Sequence, residues 1–323
     1  MVVERGCVMR DLEYRLFSQV RSFSSTAVIS AIVLSLALSQ FLGENSIHWQ
    51  VVIAVIALAV GIPHGALDHL VTLPKSKPTV MVLFIIIYVL VAVVAVISIL
   101  EFNVFGFVFV LLMSATHFGI GDAAFINEMD RRGGRKAKLP RVMYAVAAGS
   151  IPVLIPLVNS ASTDALAQVN PVLINWHQGF DQEILGGVSG FAVVAIVTLF
   201  FLRRKRESLD LALLLTLALV APPLIAFAVY FGCWHAMRHT ARLTLSLESS
   251  QRGYRDGNLR KVFLSAVLPG TPALIGTFVI AGVLALLGNE FSDDFFWMAL
   301  VVVWALTVPH MAVTAKLDRS ALT

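Results

Sequence analysis

Residues 79–100 read TVMVLFIIIYVLVAVVAVISIL, an unbroken apolar run with no charged side chain. A helix of roughly 20 apolar residues crosses the hydrocarbon core of a bilayer. In that core only helices and closed barrels satisfy their own backbone hydrogen bonds. Similar runs lie near 25–42, 48–70, 103–124, 141–158, 186–202, 208–221, 222–241, 263–288 and 295–315. The expectation is an all-α, polytopic integral membrane helix bundle with about ten transmembrane helices (eight to ten). Only 14% of the 323 residues are charged, where a soluble domain has about a quarter. No polar block is long enough for a second domain, so residues 25–323 read as one transmembrane domain behind a basic cytoplasmic segment, 1–24.

The basic residues set the orientation. Lys and Arg lie before residue 25, in the 71–78 and 125–141 stretches, at 203–206, at 238–261 and near the C-terminus. In a ten-span chain all of these fall on the side of the N-terminus. The opposite loops hold Glu44, Glu101, Asp164, Asp181, Glu183, Glu290, Asp293 and Asp294. By the positive-inside bias both termini are cytoplasmic. The net charge of +4 is then a matter of topology and lipid contact, not a nucleic-acid face. The first apolar run superficially resembles a signal peptide. Its charged lead is long for that role, and its removal would leave an odd number of spans, so a retained helix is expected. Cys7 and Cys233 are too far apart in sequence to suggest a disulfide framework or a zinc-knuckle spacing. Ala221-Pro222-Pro223 marks either a turn between two spans or a break within one helix.

Ionisable groups within spans are costly and usually functional. His48 and His177 read as interfacial. His64 and His69, His117, His235 and His239, and His310 all fall late in even-numbered spans, which places them at one depth in the cytoplasmic half. Neutral imidazole is a common metal ligand, and the i, i+4 spacing of His235 and His239 puts both on one helix face. Helix–helix hydrogen bonding, proton relay and axial haem ligation are the competing roles. Asp68, four residues after His64, and Asp122, near His117, are candidates to hold the outer nitrogen of a ligand. Arg238 reads as an anchor reaching to the headgroups, and Cys233 as a packed small side chain. Gly61, Gly65, Gly119, Gly121 and Gly232 permit close helix approach. Phe118, Tyr230, Phe231, Trp234 and Trp304 form a possible wall for a long apolar substrate.

Four segments, GIPHGALDH (61–69), THFGIGD (116–122), APPLIAFAVYFGCWHAMRH (221–239) and LTVPHM (306–311), together resemble the motif set of the Brp/Blh family. These are prokaryotic membrane β-carotene 15,15′-dioxygenases. The likeness runs from about 50 to 315; the basic N-terminal stretch and the 159–185 loop match no motif. The resemblance implies a catalytic domain at 25–323 in the plasma or inner membrane. It implies ferrous iron, Fe(2+), on His64, His117, His235 and His239, with no catalytic residue beyond the metal site. His310, His69, Asp68 and Asp122 would support those ligands or face the substrate. β-Carotene and dioxygen would give two all-trans-retinal molecules, for hand-over to a microbial rhodopsin. Two other readings stand beside it. A desaturase or hydroxylase would need more crowded histidine boxes for two irons, and a proton- or metal-coupled transporter would need an ion gradient.

Overall fold

The computed structural model describes residues 2–42, 77–135, 137–160, 171–272 and 293–322, with positions 50, 53, 56, 57, 59–61, 64, 65, 67, 68, 162, 274 and 275. The described residues are helical or lie in turns, with no strand among them. The helices are α1 (Val2–Leu42), α2 (Pro78–Glu101), α3 (Asn103–Arg132), α4 (Arg141–Leu157), α5 (Asp181–Phe201), α6 (Lys205–Val220), α7 (Pro223–Val229), α8 (Met237–Leu243), α9 (Glu248–Arg255), α10 (Leu259–Val267) and α11 (Asp293–Leu322). Tyr230–Ala236, between α7 and α8, is a π-helical segment.

Among the described residues, four helical stretches are long and apolar enough to cross a membrane: Val8–Phe41, Pro78–Glu101, Val104–Arg132 and Asp181–Phe201. α2 makes the physical case. Its Val, Ile and Leu side chains face outward along its length, with Val94 62% exposed, and only Ala92 and Ile99 are buried. So much exposed apolar surface on one helix needs a non-aqueous surround. Pro78 opens that helix where its missing N–H costs nothing. The runs expected at 48–70 and 263–288 lie largely outside the described residues. The second is interrupted at its start, because Pro269 and Gly270 end α10 in a 3-10 turn, Leu268–Gly270.

Two stretches take definite form. α1 runs without a break from Val2 to Leu42. Leu16, Phe17 and Val20 are in the core and Arg21 is buried. At about 60 Å, the helix is twice the depth of the hydrocarbon region. At Ala221-Pro222 the chain is extended, with ψ of 148° and 142°. α6 and α7 are therefore distinct helices, since consecutive prolines remove two backbone donors.

α3 is the central post. It lies against α4 so closely that a Cβ on Gly119 would strike the Ala145 carbonyl, and one on Gly149 the Ala115 carbonyl. One hydrophobic core runs from α1 through α3, α4, α5 and α6 to the α7–π segment. Through it pass buried ion pairs. Arg21 of α1 meets Asp210 at 2.8 Å and Glu207 at 2.9 Å, both on α6. Arg204 bridges Glu207 (3.0 Å) and Asp130 (2.7 Å). Arg242 of α8 joins Glu128 of α3 (3.1 Å) to Asp318 of α11 (2.5 Å). α11 is held further by Asn127 and Arg131, which donate to the Ala321 carbonyl at its end. A buried charge persists only when paired, so these pairs fix which helices are neighbours.

Candidate metal centre

The helix that carries His235 and His239 changes from π to α between them. A π turn widens the helix locally and recurs at functional sites. It leaves the two rings nearly parallel, 21° apart, with centroids 6.0 Å apart. Ala57 and Gly61 come up against this turn. Gly232 makes that possible, because a Cβ there would collide with the Ala57 carbonyl. That contact brings His64 to 5.8 Å from His235 and 5.4 Å from His239. From α3, His117 lies 5.0 Å from His235 and 6.5 Å from His239. From α11, His310 lies 5.3 Å from both His64 and His117, and 5.7 Å from His239. Five buried histidines from separate parts of the chain thus share one interior cluster.

Three of the outer nitrogens have partners. Nδ1 of His64 donates to the Gly61 carbonyl. Nδ1 of His310 lies 2.9 Å from Asp68 Oδ2, and Thr314 Oγ1 is 3.4 Å from Nδ1 of His117. Four of the inner nitrogens do not: among the described residues, Nε2 of His117, His235, His239 and His310 are buried without a hydrogen-bond partner. Buried polar atoms are normally satisfied, so four orphans in one cluster call for an explanation, and a cation is the simplest.

Among the described residues, no group of three or more His, Cys, Asp or Glu side chains could hold a metal ion as placed. The ring spacing nevertheless suits one ion. With a metal–nitrogen bond of about 2.1 Å and a ring centre about 1.1 Å further out, imidazole centroids on one ion sit about 4.5 Å apart at right angles, about 5.2 Å at tetrahedral angles and about 6.4 Å when opposed. The observed range is 5.0 to 6.5 Å. An all-imidazole set suits iron, copper, zinc or nickel.

The remaining predicted residues divide. Phe118 is buried with its ring 4.5 Å from His235, and Phe231 is 5.5 Å from His64. Tyr230 is 6.3 Å from His235. These three aromatics flank the cluster. Trp234, expected on the same wall, instead donates from Nε1 to Asp122 (2.7 Å) and lies beneath Arg238, 3.7 Å from guanidinium carbon to ring centroid. Asp122 therefore braces Trp234 and Arg238 (3.7 Å) and, among the described residues, bonds to no histidine. Arg238 is not a headgroup anchor: it is buried and paired with Asp210 at 3.2 Å. Its cost in the interior is met by carboxylates and an indole face. Asp68 serves His310, not His64, and Tyr88 of α2 donates to it at 3.0 Å. His69 and the side chain of Trp304 lie outside the described residues. His177 sits in a turn, accepting from the Gly179 N–H at 3.2 Å, and His48 also lies outside the described residues. Cys233 is a half-buried free thiol packed at the core edge.

Sequence reading missed the buried carboxylates Glu128, Glu207, Asp210 and Asp318. Their position beside Arg-rich helix ends was the available signal. Two apolar hollows flank the His310 helix. One, of about 360 Å³, lies between α2 and α3 with Val308 at its edge. The other, of about 500 Å³, lies between α2 and α11 and is lined by Tyr88 and Pro309. Val91 lines both.

The sequence profile of the family described as Beta-carotene 15,15'-dioxygenase matches residues 55–318. The chain is 26% identical over 281 residues to the Beta-carotene 15,15'-dioxygenase of an uncultured marine bacterium, 66A03, covering 84% of this chain and 94% of that protein. It is also 26% identical over 294 residues to the Probable beta-carotene 15,15'-dioxygenase Blh of Halobacterium salinarum, covering 81% of this chain and 82% of that protein. No solved structure matches. The profile match takes in all five clustered histidines, and the chain belongs to the β-carotene 15,15′-dioxygenase family.

Proposed function

We propose that this chain cleaves the central 15,15′ double bond of β-carotene with dioxygen, giving two molecules of all-trans-retinal. The observation that carries the reading is the cluster of buried histidines whose inner nitrogens lack partners, inside the region that the family profile matches. His64, His117, His235 and His239 would hold ferrous iron as neutral nitrogen donors. Bound iron supplies the dioxygen chemistry that side chains do not.

The rest is work for the chain itself. The Gly61 carbonyl and Thr314 orient the rings of His64 and His117. Phe118 and Phe231 place aromatic rings beside the histidines, so the neighbourhood is apolar, as a polyene requires. A hydrocarbon offers no polar handle, so the bond cut is chosen by the length and shape of the slot. The substrate dissolves in the bilayer, and the hollows along α2 and α11 offer lateral access from it. The Asp122–Arg238–Asp210 pairing holds α3, α6 and α8 in register around the site. In a dioxygenase step both atoms of one dioxygen end in the two aldehydes, so no further reductant is consumed.

The basic pattern of the sequence supports a prokaryotic plasma or inner membrane with the site in its cytoplasmic half. Retinal released into the lipid would be available to a microbial rhodopsin. Expression in β-carotene-producing bacteria tests the activity. The expected result is loss of orange colour with retinal in the extract. Unchanged carotenoid beside membrane-inserted, iron-loaded protein contradicts it.

A further inference from the structure

We propose that His310 is a fifth histidine of this metal site, oriented by Asp68 and Tyr88. The proposal rests on the reading of the cluster as a metal centre.

Ring adjacency gives the arrangement. His239 is beside every other member: His64 at 5.4 Å, His117 at 6.5 Å, His235 at 6.0 Å and His310 at 5.7 Å. The other four close into a ring in the order His64, His235, His117, His310. Its sides measure 5.8, 5.0, 5.3 and 5.3 Å. His310 closes that ring between His64 and His117.

His310 is also prepared as a ligand. A histidine that merely tethered two helices would use both nitrogens on protein partners. Here Nδ1 sits between the two oxygens of Asp68, at 3.0 and 2.9 Å, while Nε2 is buried and unpartnered. A carboxylate on the outer nitrogen fixes the tautomer that leaves the inner lone pair free for a metal. Tyr88 donates to the same carboxylate at 3.0 Å. The positioning chain thus runs from α2 through residue 68 to α11. Five nitrogen donors leave one position of an octahedral ion for an outside ligand, which suits a site that must admit dioxygen.

Cobalt(II) tests this without relying on turnover. Its visible bands are weak in five- or six-coordinate sites and intense in tetrahedral ones. The full-length chain in detergent, stripped by a chelator, is titrated with cobalt(II). The wild type should show weak bands. H310A and H310Q should alter those bands and weaken cobalt binding at least tenfold. H310Q keeps a donor for Asp68, so it separates loss of the ligand from loss of the tether and serves if H310A aggregates. D68N should weaken binding by about 10- to 100-fold and shift the bands less than H310Q does. Intense tetrahedral bands in the wild type overturn the proposal. So do wild-type affinity and spectrum in H310A or H310Q. If H239A loses cobalt while H310Q keeps the wild-type spectrum, the fifth ligand fails and the four-histidine site stands. If the wild type takes up no cobalt or iron, both fail.

Discussion

Gly232 lies against Ala57 so tightly that a Cβ at position 232 would occupy the space of the Ala57 carbonyl oxygen. The two residues join the π turn to the segment bearing His64. Gly232→Ala therefore forces backbone apart at the site. The expected cost is about 1–3 kcal/mol, with weaker iron retention. Gly186→Ala, on α5 with open space around its Cβ position, should leave both unchanged or gain slightly. Thermal unfolding and iron content of the two variants in detergent check this.

The buried carboxylate of Asp210 serves two cations, Arg21 at 2.8 Å and Arg238 at 3.2 Å. Removing one partner of a buried pair leaves an uncompensated charge. Asp210→Ala should cost about 3–5 kcal/mol, while Glu101→Ala, exposed at the end of α2, should change stability by less than about 0.5 kcal/mol. If Arg238 were a headgroup anchor, Arg238→Met would be tolerated. Thermal melts should instead show it to be nearly as damaging as Asp210→Ala.

These residues also mark where sequence reading stops. The apolar runs at 79–100 and 103–124 predict α2 and α3 because lipid leaves the backbone no alternative to helix. The histidines were found because imidazole in a span has few bland roles. The same charge logic misassigned Arg238, since an arginine bound for a headgroup and one bound for a buried carboxylate look alike in sequence. Spacing arguments see only one helix at a time. They paired Asp68 with His64, four residues away, whereas its partner His310 is 242 positions distant. The π turn at Tyr230–Ala236 has no propensity signature and follows from the packing of Gly232 and its neighbours.

Iron should leave with any one of the four expected ligands. His64→Ala, His117→Ala, His235→Ala and His239→Ala should each weaken iron retention by more than about 100-fold, beyond the range seen for supporting residues. Chelation of the wild type should abolish cleavage, and ferrous iron should restore it. Metal analysis after desalting decides it for each variant.

The aromatic neighbours should govern where the polyene sits, not whether metal binds. Phe118→Ala and Phe231→Ala are expected to keep wild-type iron content. Their kcat/KM for β-carotene should fall about tenfold, equivalent to about 1.4 kcal/mol. Apocarotenals of unequal length should accompany retinal, as chromatography of the products will show.

The most direct test is the product ratio from purified, iron-loaded protein given β-carotene in mixed micelles under oxygen. The prediction is two molecules of retinal for each β-carotene consumed, and none from the iron-free protein. Unconsumed β-carotene, or one retinal beside a different fragment from the wild type, would contradict central cleavage at the histidine cluster.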